Sequence, residues 1–388
     1  MGNAHLVGIG ESLPRPREVS PPVGAMTVGV EEEFLLVDTR SRELAAVAAQ
    51  VLADAAGILP ELREEIVQFQ VETASPVCHT LADLREHLLR SRTALAEIAQ
   101  RHGVRPVATG TPVLGRAHPA PLTNTTRYHR IAESFGALAE TQTICGCHVH
   151  VGVPDPESGV QVSNHLRSWL PLLLAMSANS PFWSERDTRY ASWRYLVWNR
   201  WPSAGPPPWL RSASHYETTL RTLLHSGAAI DQGMLYWDVR LSAKYPTVEL
   251  RVFDIAATVD EAVLLAGVAR AIAATALVGG VPAVPVPQQV LRAAMWRAAR
   301  YGMEGTVLDP LSERLVPAST LVNHLLVWAR PGLEANGDLE WVTDSAERLI
   351  AGGSGAARQR GALQRRGRLT DVVDLLVEQT APGLARPS

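Results

Sequence analysis

Residues Thr27–Asp38 read TVGVEEEFLLVD, three consecutive glutamates set among strand-forming residues. Val28, Val30, Phe34, Leu35, Leu36 and Val37 favour an extended, buried backbone. A carboxylate there is costly unless it pairs with a cation or binds a metal. Successive strand side chains point to opposite faces. Glu31 and Glu33 therefore share a face with Gly29, while Glu32 lies with Val28, Val30 and Phe34.

The same alternation recurs further along. In IVQFQVET, Gln68, Gln70 and Glu72 oppose Val67, Phe69 and Val71; in CGCHVHV, His148 and His150 oppose Cys145, Cys147, Val149 and Val151. In YWDVRLS, Asp238 and Arg240 oppose Trp237, Val239 and Leu241; in TVELRVF, Glu249 and Arg251 oppose Val248, Leu250 and Val252. An antiparallel sheet with one wet face alternates in this way. A face turned to water, however, usually mixes Lys, Thr, Ser and Gln, and this one offers mainly Glu, His, Arg and Asp. That composition predicts a functional cleft. Carboxylates with occasional imidazoles suit Mg²⁺ or Mn²⁺, and arginines beside them suit phosphate. Cys145 and Cys147 beside two histidines suggest zinc, but alternation sets both thiols opposite both imidazoles. They read as core cysteines.

The chain has 388 residues, 46% hydrophobic and 19% charged, with a net charge of −3. This fits a globular protein and argues against a general nucleic-acid partner, which calls for a basic excess. Lys244 is the only lysine. Three cysteines (Cys78, Cys145, Cys147) make no disulfide framework, so a reducing cytoplasm is expected. Residues 1–25 lack the pattern of a signal peptide and are rich in Pro and Gly, which predicts a flexible leader. The apolar run Ala262–Val278 is interrupted by Arg270 and is short for a bilayer, so a buried helix is expected and no membrane partner.

Periodicity predicts helices over LADLREHLLRSRTALAEIAQRHG, TRYHRIAESFG and Val160–Ala178, and strands over VRPVATG and TQTICGCHVHVGV. GMLYWDVRLSAKYPTVELRVFD reads as two strands joined near Lys244–Tyr245–Pro246. The pattern is helical from about Val259 to the end, with joints at Gly279–Pro287 and Gly352–Gly355. The prediction is an α+β fold: one catalytic domain over 26–388 with a helical C-terminal part.

Gly29-Val-Glu31-Glu-Glu33, QVETASPVC, GCHVHVGV and TVELRVFD, in this order, resemble the type 2 glutamate–cysteine ligase-like carboxylate–amine ligases. Glu249, Arg251 and Asp254 (Glu-x-Arg-x-x-Asp) are also similar to the wider glutamine synthetase superfamily. The resemblance implies a curved, mostly antiparallel sheet whose concave face holds ATP and divalent ions. It implies amide formation through an acyl phosphate, with glutamate and cysteine as the default small-molecule substrates. It maps metal ligands onto Glu31, Glu33, Glu72, His148 and Glu249, with Glu32 left as the partner of an arginine. Arg251 and Lys244 become phosphate contacts, joined by Arg240, and His150 a contact to phosphate or to the carboxylate under attack. The loop from Ser184 to Trp209 offers Arg189, Arg194 or Arg200 for a substrate carboxylate, with Asn199-Arg200-Trp201-Pro202 favouring Arg200.

Two other classes match part of the pattern. A metal-dependent hydrolase would use His-x-His, but usually early in the chain and with further histidines on later strands. A non-catalytic nucleotide binder would show erosion of the ligand set, and none is visible. Homo-oligomer formation is left open by the sequence.

Overall fold

A computed structural model describes residues 25–115, 119–278 and 282–382. The leader expected over residues 1–25 lies outside the described residues, apart from Ala25. Eleven strands lie among the described residues: β1 Val28–Asp38, β2 Arg63–Glu64, β3 Gln70–Ala74, β4 Val104–Val107, β5 Gly146–Gly152, β6 Phe182–Trp183, β7 Arg186–Asp187, β8 Val239–Leu241, β9 Thr247–Asp254, β10 Thr306–Asp309 and β11 Arg314–Pro317.

Seven of them build an antiparallel sheet in the order β2-β3-β1-β5-β9-β8, with β4 also on β1. The eleven residues of β1 make it the spine: β3 and β4 succeed each other along one edge, and β5 takes the other. Register sets the face. Glu33 lies opposite Glu72, Glu31 opposite His148, His150 opposite Glu249, and Glu249 opposite Arg240. Cross-strand partners share a face, so alternation along each strand becomes one polar row across five strands. Between Cys147 and Val149 the β5–β9 register shifts, so that Arg251 and Val252 together face His148. This bulge re-aims the end of β9.

The opposite face is apolar and carries the helices Leu81–Arg101, Pro156–Ser177 and Val259–Val278. Their ends follow from local chemistry. Thr80 caps the first by accepting from the Asp83 N–H at 3.0 Å, and Gly103 leaves it at a φ of 68°. Asp155 caps the second, with Pro156 in its first turn. Val259–Val278 is apolar on all sides because it is surrounded, with 83% of its most apolar window buried. Its one basic residue, Arg270, is fully buried and donates to Asp338 at 2.6 and 2.7 Å.

Glu32 also points to this face. It is fully buried and receives two bonds from Arg92, at 2.6 and 3.1 Å, as the sequence led us to expect of it. Beyond Asp254 the elements are helices except for the hairpin β10–β11 and the short 3₁₀ turn Gly302–Glu304.

Candidate active site

The polar row gathers side chains from five strands and one loop. His148 Nδ1 lies 3.1 Å from Glu31 Oε2 and its Nε2 lies 3.7 Å from Glu33 Oε1, while His150 Nε2 lies 3.4 Å from Glu31 Oε1. Glu33 accepts from the Gly146 N–H at 2.6 Å and from Gln70 Nε2 at 3.3 Å. Glu249 sits between Arg240 and Arg251 and is ion-paired to both.

Three triads bring one donor atom per residue within 4.8 Å of each other: Glu31–His150–Glu249, Glu31–Glu72–His148, and Glu33–Glu65–Glu72. All five predicted ligands are among them. Glu65, which precedes β3, was not anticipated, because it lies in a loop where alternation assigns no face. His150, read from the sequence as a substrate or phosphate contact, joins a donor triad.

The electrostatics of this cluster are uneven. Burial opposes the charge on Glu31, yet hydrogen bonds and charge from His148 and His150 hold its carboxyl far below the usual range. Glu249 is also buried, and Arg251 and Arg240 keep it ionised. At the other end, burial and Glu65 raise Glu33 to about 8; burial with Glu65, Glu31 and Glu33 pushes Glu72 well above its ordinary value. Glu65 rises as well, chiefly through burial. Burial and Arg251 depress His148 to about 4, leaving a neutral imidazole ready to ligate. His148 and His150 each keep a buried Nε2 without a hydrogen-bond partner. Crowded carboxylates beside orphaned imidazole nitrogens are unfavourable alone and favourable around a divalent cation. Oxygen donors with two imidazoles fit Mg²⁺ or Mn²⁺. The thiols take no part: Cys78, Cys145 and Cys147 are free and buried, and burial raises the last two far above the thiol range.

The predicted cations divide. Arg251 stacks near Trp198 and Tyr236, at 5.4 and 5.8 Å, and its Nε is unpartnered. Arg240, read from the sequence as a phosphate contact, has its guanidinium on Glu249, at 2.9 and 3.0 Å, and on the carbonyls of Gln232, Gly233 and Leu235. It ties a loop to the sheet, each guanidinium nitrogen already donating to a protein acceptor. Lys244 is exposed in the β8–β9 connection, next to Tyr245, whose ring centre lies 6.1 Å from that of His150.

The three loop arginines are placed differently. Arg200 is exposed and donates to the carbonyls of Val197 and Thr141, at 3.1 and 3.0 Å. Arg189 is exposed, with its N–H on Asp187. Arg194 alone of the three is buried against the polar face: a Cβ on Gly146 would stand 2.3 Å from its Nη2.

A carboxylate-rich sheet face beside a buried arginine accords with an ATP-dependent carboxylate–amine ligase, the class to which relatives point. The protein named "Putative glutamate--cysteine ligase 2-1" of Saccharopolyspora erythraea is 47% identical over 358 residues, covering 92% of this chain and 95% of the relative. The fold is similar to a glutamate–cysteine ligase from Francisella tularensis in complex with AMP (TM-score 0.68, 11% identity, 95% of this chain and 91% of that one). It is similar also to a bifunctional glutathione synthetase from Pasteurella multocida (TM-score 0.62, 16% identity, 92% of this chain and 52% of that one). At those identities the likeness is one of fold. The model of glutamate–cysteine ligase family 2 matches residues 27–375, and the chain belongs to that family.

Proposed function

We propose that this enzyme uses ATP to phosphorylate the side-chain carboxylate of glutamate and joins the resulting acyl phosphate to the amine of cysteine, giving γ-glutamylcysteine. The observation that carries the reading is the convergence of Glu31, Glu33, Glu65, Glu72, His148, His150 and Glu249 on one sheet face, in three overlapping triads. These residues would hold Mg²⁺ or Mn²⁺, which when bound neutralises phosphate charge as the phosphoryl group moves.

The rest of the work falls to the protein's own groups. Arg251, fixed by Glu249 and its aromatic neighbours, turns a guanidinium toward the same face and suits the transferring phosphoryl group. Lys244 is free to reach the nucleotide from its exposed turn. Three buried free thiols suit a reducing cytoplasm.

The test is a panel of amino acids and simple amines with ATP and Mg²⁺, scored by phosphate release and product mass. Glutamate-dependent phosphate release with a γ-glutamylcysteine product is expected. Turnover confined to another amine would replace cysteine, and product formation without ATP would overturn the reading.

A further inference from the structure

We propose that Arg194 and Asp238 together seat the zwitterionic head of an α-amino acid, the substrate whose side-chain carboxylate is activated. This rests on the ligase reading above and adds a specificity-determining pair to it.

Arg194 belongs to the helix Trp193–Trp198 and is 1% exposed. Its Nη2 donates to the Arg251 carbonyl at 3.3 Å, whereas Nε and Nη1 are buried with no acceptor. The carboxylates around it are occupied elsewhere. Asp254 accepts from Ser180 Oγ at 2.6 Å, Ser192 Oγ at 2.7 Å and the Asn179 N–H at 2.9 Å. Glu33 accepts from Gly146 and Gln70. Trp198, its ring 5.6 Å from the guanidinium, holds the group in place without satisfying its donors.

Asp238 presents the complementary deficit. It directly precedes β8, opposite Arg251, whose N–H donates to its carbonyl at 2.8 Å. Its side chain is fully buried; Tyr195 donates to Oδ2 at 3.2 Å, and Oδ1 has no partner. Burial raises this carboxyl to about 7, while Arg194 acts in the opposite sense, so the two charges feel each other. Among the described residues no ion pair within 4.0 Å joins them.

A buried cation short of acceptors and a buried carboxylate short of a donor are both costly. A dicarboxylate would relieve only Arg194, and a simple amine only Asp238. A carboxylate and an ammonium on one carbon relieve both. Arg251 lies between this pair and Glu249, which directs a bound side-chain carboxylate toward the ion-binding triads.

The test is calorimetric titration of the folded protein with Mg²⁺ and a non-hydrolysable ATP analogue present. The probes are L-glutamate, glutarate (no α-ammonium) and 4-aminobutyrate (no α-carboxylate). Wild type is expected to prefer glutamate over both by roughly 10- to 100-fold, the scale of a lost charge-assisted bond in a buried site. Asp238→Asn should bind glutamate no better than glutarate, and Arg194→Gln no better than 4-aminobutyrate. Tyr195→Phe, which removes only the hydroxyl on Asp238, should narrow the glutamate–glutarate gap should Asp238→Asn not fold. Analogue affinity within about twofold of wild type marks each variant as intact. Undiminished glutamate preference in intact variants overturns the pair's role. Should wild type not bind glutamate, the remaining amino acids are titrated. Binding of another one that is lost in Asp238→Asn retains the seat and rejects glutamate; binding of none overturns it.

Discussion

Glu32 and Glu33 are adjacent in sequence and opposite in circumstance. Glu32 shares the interior with Arg92 and accepts two bonds from it; Glu33 lies across from Glu72 on the polar face. A carboxamide at residue 32 leaves Arg92 charged and buried, which costs about 3–5 kcal/mol when such a pair is broken. Glu32→Gln should therefore lower the melting temperature clearly. Glu33→Gln keeps an oxygen for the Gly146 N–H and loses only charge, and Glu249→Gln is equally conservative in shape. Glu33→Gln should melt close to wild type and Glu249→Gln below it, because Glu249 neutralises the buried Arg240 and Arg251. Turnover should fall about 100-fold or more in both, since several kcal/mol of phosphoryl-transfer stabilisation would rest on the ion these residues are proposed to hold. Melting curves and ATP-dependent product formation on the three variants decide it. An inactive Glu32→Gln beside a fully active Glu33→Gln would refute the face assignment.

Elements that alternate or recur strictly were legible from the sequence alone. The strands around Glu31, Glu72, His148 and Glu249 occur as predicted because a one-residue slip would drive charge into the core. The long helices occur because their apolar stripes and caps agree. Features decided by the third dimension were not legible. The β5–β9 bulge leaves no mark in either strand, Glu65 sits in a loop, and the β10–β11 hairpin lies inside an otherwise helical pattern. Arg240 and Arg200 show the same limit, because nothing in sequence reveals which carbonyls an arginine will find. Two predictions belong to this scale. Lys244→Ala, on an exposed turn, should raise the KM for ATP several-fold with an unchanged melting temperature; an unchanged KM would remove Lys244 from the nucleotide site. The second concerns the helix Pro156–Ser177, in which His165 is packed near Trp169 and Trp328 and burial lowers it to about 4. The unfolded chain takes up this proton near the ordinary histidine value and the folded chain does not. Stability should therefore fall as pH drops from about 6.5 toward 4, on the order of 1–2 kcal/mol of it between pH 7 and 5. His165→Phe should flatten that part of the slope, measured by urea unfolding at each pH.

Across the whole molecule the site is a meeting of distant chain segments, with Glu31 near the start of the described residues and Glu249 well past the middle. Five glutamates (31, 33, 65, 72 and 249) face the arginines at 194, 240 and 251, and two of those arginines are ion-paired to Glu249 alone. The Glu33, Glu65 and Glu72 end thus carries charge that the folded protein compensates poorly, as the raised carboxyls there record. On the reading proposed above, a divalent cation would correct the deficit in the folded state only, because the unfolded chain does not hold these strands together. Mg²⁺ should therefore stabilise the entire fold by mass action, by about 2.7 kcal/mol at a hundred times its dissociation constant. Glu72→Gln, a member of two triads, should lose most of that stabilisation while melting at or above the chelated wild type, since one repelling charge is gone. Replacing Cys145 and Cys147 with Ser should do the reverse, lowering the melting temperature through lost core packing and leaving the Mg²⁺-induced rise intact. Thermal melts with chelator and across a Mg²⁺ series separate the two. A rise that survives Glu72→Gln, or that vanishes with the cysteines, would show that the ion binds somewhere other than this face.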